Sequence, residues 1–169
     1  MKKLRLSLLL ALATVSMSLV SCEKEDDTQT EEPKQEEGIQ GEWQSSGSDV
    51  APLLVSLFAT DSVYINFKTD MSYTVEQYDT SGAKLTLSGV YTQTKSGTDD
   101  IYTIVVEQST PAALVSEGIF EVNGNTMRYE IVQTSPDIGA TPPTAAGGFG
   151  STNGGALADF NIQVYQRIE

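Results

Sequence analysis

The sequence lacks histidine altogether and holds a single cysteine, Cys22. Without histidine, Ser-His-Asp and Cys-His nucleophilic systems, histidine general bases and histidine-ligated zinc or haem sites are excluded. A single cysteine cannot form a disulfide within the chain, so the fold must depend on a packed hydrophobic core. An enzyme built on this chain would have to work with carboxylates, tyrosine or lysine.

Positive charge is also scarce, with ten Lys and Arg residues against 23 Asp and Glu residues. Three of the ten, Lys2, Lys3 and Arg5, stand at the start of the chain. The acidic remainder would repel nucleic-acid phosphates, so we expect no nucleic-acid partner. The sequence has no Asp-x-Asp-x-Asp-Gly calcium loop and therefore predicts no metal site and no cofactor.

Residues 1–21 have the pattern of a signal peptide. The basic start is followed by a mostly apolar run, 6–20, which is too short to span a bilayer as a lasting anchor. The run ends in Leu19-Val20-Ser21-Cys22, which resembles the lipobox of bacterial lipoproteins. That resemblance implies cleavage before Cys22, a diacylglyceryl group on its thiol, and attachment to a membrane through several acyl chains. The alternative is an ordinary secreted protein with a free cysteine.

The next segment, 22–38, is predicted to be a flexible acidic tether. It contains eight acidic residues and almost nothing apolar, so it cannot build a core of its own. Its first six residues, CEKEDD, resemble the acidic export signal of surface lipoproteins in some Gram-negative bacteria. The resemblance implies a lipid-anchored protein exposed on the outer face of the outer membrane, with the periplasmic leaflet as the alternative.

Residues 39–169 are predicted to form one all-β domain. Apolar and polar residues alternate with a period of two, which is typical of antiparallel strands. The alternation is clearest in Val63-Ile65-Phe67, Met127-Tyr129-Ile131 and Phe160-Ile162-Val164. The predicted strands are 39–46, 62–68, 72–79, 84–94, 101–108, 114–122, 126–133 and 158–168. Short turns favour an eight-stranded up-and-down barrel, because closure removes exposed edges, although a two-sheet sandwich is also compatible.

Two segments interrupt the strands. Residues 50–58 are so apolar that we expect a buried short helix across one open end of the barrel, with Ser48 and Asp49 as caps and Pro52 in the first turn. Residues 134–156 are rich in Gly, Pro, Ala and Thr. This loop is long enough to be a lid that uses Phe149, or else a disordered insertion.

Gly41-Glu42-Trp43, near the start of the first strand, resembles the Gly-x-Trp motif of lipocalins and of lipocalin-like bacterial lipoproteins. Residues 67–73 and 89–91 resemble further stretches of the latter group. The resemblance implies a barrel in which Trp43 packs at the closed end, beneath an arginine of the last strand. Arg167 is the candidate, but an inward register of Phe160, Ile162 and Val164 would instead place it outside.

The same resemblance implies a pocket for a small apolar or amphipathic molecule inside the barrel. An eight-stranded barrel either holds one small ligand or is filled by its own side chains, and both alternatives remain open from the sequence. The candidate residues for lining this interior are Tyr73, Tyr91, Tyr102, Phe120, Met127, Tyr129 and Phe160.

The leading hypothesis is therefore a non-enzymatic binding protein for a small lipophilic ligand. The alternative is a structural or protein-interaction subunit of a cell-surface complex, built on a solid barrel. A carboxylate enzyme would need two of Glu107, Glu117, Glu121 and Glu130 to face each other about 5–10 Å apart. Glu121 and Glu130 alternate with apolar residues, which indicates a solvated outer face, so the sequence does not predict an enzyme.

Overall fold

The computed structural model describes residues 38–168, in which eight antiparallel strands close into a barrel in sequence order. The last strand pairs with the first, so the described barrel has no free edge. The strands are β1 Gly41–Ser46, β2 Thr60–Phe67, β3 Ser72–Asp79, β4 Lys84–Lys95, β5 Ile101–Thr110, β6 Leu114–Asn123, β7 Thr126–Ser135 and β8 Gln163–Ile168. The predicted up-and-down barrel is confirmed and the sandwich is excluded. The predicted signal peptide, Cys22 and the tether up to residue 37 lie outside the described residues.

The two ends of the barrel differ in what they carry. The described chain enters at Gly38 and leaves at Ile168 at one end, here called the tryptophan end, which also holds the β2–β3, β4–β5 and β6–β7 turns. The opposite end, here called the helix end, holds the other four connections, including helix α1, Pro52–Phe58. Nowhere in residues 38–168 is there a helix long and apolar enough to cross a membrane.

Seven strands lie within two residues of their predicted bounds, but β8 begins at Gln163 and not at residue 158. Residues Ala158–Asn161 form a 3-10 turn. The inward residues of β8 are therefore Gln163, Tyr165 and Arg167, and the predicted inward register of Phe160, Ile162 and Val164 is wrong.

The reason for the different register lies in the neighbouring strands. Tyr165 pairs with Met127 of β7, and Arg167 pairs with Trp43 of β1, and both partners face the interior. Val164 points outward opposite Arg128 yet is only partly exposed. Apolar alternation therefore could not tell the inner face of this strand from the outer one.

Helix α1 is less buried than its composition predicts. It is fixed at its start, where the backbone N–H of Ala51 donates to the side-chain carbonyl of Gln163 at 3.1 Å, and Leu54 packs against the core. Val55, Leu57 and Phe58 are 44%, 64% and 58% exposed. The prediction that the whole segment is buried is wrong, because a helix of seven residues can turn only one face toward the barrel.

The loop between β7 and β8 fastens to the outer wall of the barrel. Glu130 points outward from β7 and is fully buried there. Its carboxylate accepts hydrogen bonds from the backbone N–H groups of Gly150 and Thr152, at 2.7 and 3.2 Å, and from the Thr152 hydroxyl. This part of the loop is thus neither a lid nor disordered, and the expectation of a solvated Glu130 is wrong.

Candidate functional site

Six of the seven residues predicted to line the barrel interior do face it: Tyr73, Tyr91, Tyr102, Phe120, Met127 and Tyr129. The aromatic rings of this set pack against one another or against Phe67, which the sequence placed on the apolar face of β2 but not among the lining residues. The Phe67 centroid lies 6.1, 5.0 and 6.3 Å from those of Tyr73, Tyr91 and Tyr129. Phe67 belongs to β2 and Tyr129 to β7, so these contacts reach across the barrel and fill its tryptophan end.

Phe160 does not belong with this set. It lies in the 3-10 turn Ala158–Asn161, outside the barrel, and is 45% exposed. The same turn contacts helix α1. Phe160 is therefore part of the surface at the helix end, and its predicted place in the interior is wrong.

Gly41, Trp43 and Arg167 come together at the tryptophan end. The Arg167 guanidinium carbon lies 4.2 Å from the centroid of the Trp43 ring, and one of its N–H groups donates to the Gln40 carbonyl at 2.8 Å. The indole N–H donates to the Ile39 carbonyl at 2.8 Å. Gly41 has a φ of 123°, and a Cβ there would collide with the guanidinium. The three residues thus pack closely and close the tryptophan end, here called the plug, and we expect this packing to stabilise the fold.

Burial of the interior tyrosines makes the barrel sensitive to alkali. Burial raises the pKa of Tyr73 to about 12 and raises the pKa values of Tyr129 and Tyr165 further above 10. Their contribution to stability is complete below pH 10 and is lost as the pH rises toward the folded-state pKa, because only the unfolded chain releases these protons.

We expect the free energy of unfolding to fall above pH 10 by about 1.4 kcal/mol per pH unit for each protected tyrosine. Urea unfolding at a series of pH values between 9 and 11.5 measures how steeply the free energy of unfolding falls. Tyr73→Phe removes one ionisable group, so it should make this slope shallower by about 1.4 kcal/mol per pH unit. A free energy of unfolding that stays constant across this range would contradict the prediction.

The helix end carries most of the exposed apolar side chains. They stand on α1, at the start of β4, after the end of β7 and in the 3-10 turn before β8, all of which lie at this end. The set, here called the apolar rim, consists of Val55, Leu57, Phe58, Leu85, Ile138 and Phe160. Within this set, α1 contacts the 3-10 turn that carries Phe160, and exposed apolar residues that lie together are typical of an interaction site.

A groove of about 580 Å³ lies beside the rim, on the outer face of β2 and β3. The rings of Tyr64 and Tyr78 meet edge to face in it, with centroids 5.9 Å apart and an interplanar angle of 87°. Asp61, Glu76 and Asp79 supply carboxylates to its lining. This set, here called the tyrosine groove, was missed by sequence reasoning, although Tyr64 and Tyr78 fall on the polar face of alternating strands.

The groove is negatively charged near neutral pH. Hydrogen bonds from Lys84 and Tyr78 lower the pKa of Glu76, and a hydrogen bond from Ser81 lowers the pKa of Asp79. Lys84 also forms an ion pair with Glu76 at 2.9 Å. One lysine therefore faces a groove lined by three carboxylates.

The glutamates considered for catalysis all point to the outer wall, and only Glu130 is fully buried there. Glu117 accepts a hydrogen bond from the Thr134 hydroxyl at 3.0 Å. Among residues 38–168, no group of three or more acidic side chains is placed to hold a metal ion. Comparison with protein-family models, with curated proteins and with solved structures found no match for this chain.

Proposed function

We propose that this protein is a lipid-anchored, surface-exposed interaction module, in which the barrel is a solid scaffold and the helix end binds another protein. The observation that carries the proposal is the exposure of Leu57 and Phe58 on α1, at 64% and 58%. Fully burying a large apolar side chain contributes about 1.5–3 kcal/mol, and two neighbouring side chains that stay more than half exposed forgo over half of that amount each. A binding partner would recover that free energy.

The aromatic packing at the tryptophan end of the interior supports this function over transport of a small lipophile. A carrier needs unoccupied space between the walls of the barrel, whereas Phe67 contacts rings from β3, β4 and β7. Tyr102 and Phe120 stack on each other with centroids 5.0 Å apart. The aromatic side chains predicted to contact a ligand thus contact one another.

The position of the chain termini also supports the proposal. The described chain enters at Gly38, at the tryptophan end, and the apolar rim lies at the opposite end. If Cys22 carries the lipid that its lipobox resemblance implies, the tether joins the domain at the end away from the rim. The rim would then remain accessible to a partner on the same membrane or on another surface.

Chemical cross-linking in cells that make the protein tests the proposal. The double variant Leu57→Ser/Phe58→Ser should lose a specific cross-linked complex that the unchanged protein forms. Val90→Ser is the matched control, because Val90 is 50% exposed on the outer face of β4, away from the rim, and the cross-linked complex should persist in this variant.

Mass spectrometry of the natively purified protein should show no stoichiometric lipophile. A bound lipophile that Phe67→Ala or Tyr129→Ala displaces, without loss of the fold, would overturn the proposal in favour of a carrier.

A further inference from the structure

We propose that the partner segment carries an arginine or lysine that enters the tyrosine groove, next to an apolar side chain that covers Leu57 and Phe58. This inference rests on the proposed function and adds the chemistry of the partner. The expected partner is a protein segment that carries a cationic side chain next to an apolar one. The shape, the charge and the position of the groove favour such a segment.

The groove lies next to the C-terminal end of α1. Helix α1 ends at Phe58, and the next residue, Ala59, accepts a hydrogen bond at 2.9 Å from the backbone N–H of Thr80, which lines the groove. Asp61, at the start of β2, also lines it. A single short segment can therefore contact Phe58 and the groove together.

The lining of the groove suits a cation with a flat or extended side chain. In an edge-to-face pair, the ring that offers its edge has neither face covered by its partner, and aromatic faces attract guanidinium and ammonium groups. The Tyr78 hydroxyl donates to one oxygen of Glu76 at 2.8 Å and Lys84 donates to the other at 2.9 Å, so Glu76 is already engaged. Asp61 is exposed and forms the free carboxylate beside the rings.

Charge is distributed unequally between the two ends of the described domain. Four of its cations, Lys68, Lys95, Arg128 and Arg167, lie toward the tryptophan end, where they nearly balance the carboxylates of that end. Lys84 lies at the helix end and is paired with Glu76. The helix end also holds the carboxylates of Asp49, Asp61, Asp79, Asp137 and Asp159. This distribution favours a basic partner and opposes an acidic protein, an anionic lipid surface or a second copy of this chain.

The test uses full-length protein in detergent and a random 12-residue peptide library displayed on phage. We expect enriched peptides to combine a Leu, Phe or Trp with an Arg or Lys. Binding of the best synthetic peptide should weaken about tenfold or more with Phe58→Ser and with Asp61→Asn/Glu76→Gln, and it should weaken at higher salt. The control Asp99→Asn/Asp100→Asn removes the same charge from the β4–β5 turn at the tryptophan end, and it should change the dissociation constant less than about twofold.

The outcomes separate this inference from the function on which it rests. Enrichment of acidic or uncharged peptides, or binding that depends on Phe58 but not on Asp61 and Glu76, would contradict the proposal that a cation enters the groove. Either result would still agree with the proposed protein-interaction function. If neither peptide binding nor formation of the cross-linked complex changes when Leu57 and Phe58 are replaced, the proposed interaction function itself is contradicted. Phe58-dependent binding to phosphatidylcholine vesicles, or dimerisation that Phe58→Ser abolishes, would overturn the inference in favour of a membrane or a second copy.

Discussion

Replacing Trp43 with alanine is expected to lower the free energy of unfolding by about 3–5 kcal/mol. Trp43 is fully buried at the tryptophan end, and its loss would leave a cavity beneath the Arg167 guanidinium. The Ile39 carbonyl would also lose the indole N–H that donates to it at 2.8 Å. Since small domains are stable by only about 5–15 kcal/mol, much of the stability of this domain would be lost.

Urea unfolding followed by circular dichroism measures this change, because the variant lacks the only tryptophan of the chain and with it the fluorescence signal. Trp43→Phe keeps most of the apolar volume and loses the hydrogen bond, so it should lose less than Trp43→Ala. Leu57→Ala, at an exposed position, should change the free energy by less than about 0.5 kcal/mol. A loss below about 1.5 kcal/mol for Trp43→Ala would show that the plug at the tryptophan end contributes little.

Replacing Glu130 with alanine should cost about 2–4 kcal/mol and should release the loop between β7 and β8 from the outer wall. The buried carboxylate of Glu130 is the shared acceptor for the backbone N–H groups of Gly150 and Thr152 and for the Thr152 hydroxyl. Without it, these donors either stay buried and unpaired or move into water with the loop. Both results destabilise the ordered loop.

Hydrogen exchange at the amides of Gly150 and Thr152 follows the loop directly, and limited proteolysis between residues 136 and 161 follows it independently. Both should accelerate in Glu130→Ala, while Glu130→Gln, which keeps one carbonyl acceptor, should show a smaller effect. Glu107→Ala is the matched control, because Glu107 is an exposed glutamate on the outer wall of β5. Unchanged exchange at both amides in Glu130→Ala would mean that other contacts hold the loop.

The candidate interior was predictable to a large extent because it depends on local alternation. Tyr73, Met127 and Tyr129 stand at every second position in strands with clear turns at their ends, and all three face inward. Phe160 shares that alternation, but the chain forms a 3-10 turn there. The sequence pattern shows which residues share a face, whereas pairing with neighbouring strands decides which way that face points.

The candidate interaction surface was much harder to predict. Exposed Leu57 and Phe58 have the composition of core residues, and sequence reasoning placed them in the core. Tyr64 and Tyr78 lie fourteen positions apart and meet because β2 and β3 pair, with Tyr78 opposite Ser62. The groove therefore exists only when the register of this hairpin is known.

Residue types and spacings of two were enough to predict the all-β class, and the composition excludes histidine and disulfide chemistry. The closed order of the strands, the stacking of Arg167 on Trp43, the burial of Glu130 and the exposure of Leu57 and Phe58 on α1 came from the folded structure. Each of these results depends on elements that are distant in sequence. Thr152 follows Glu130 by 22 positions along the sequence, and Arg167 follows Trp43 by 124. Contacts of this kind form when the barrel closes, and local patterns do not specify them.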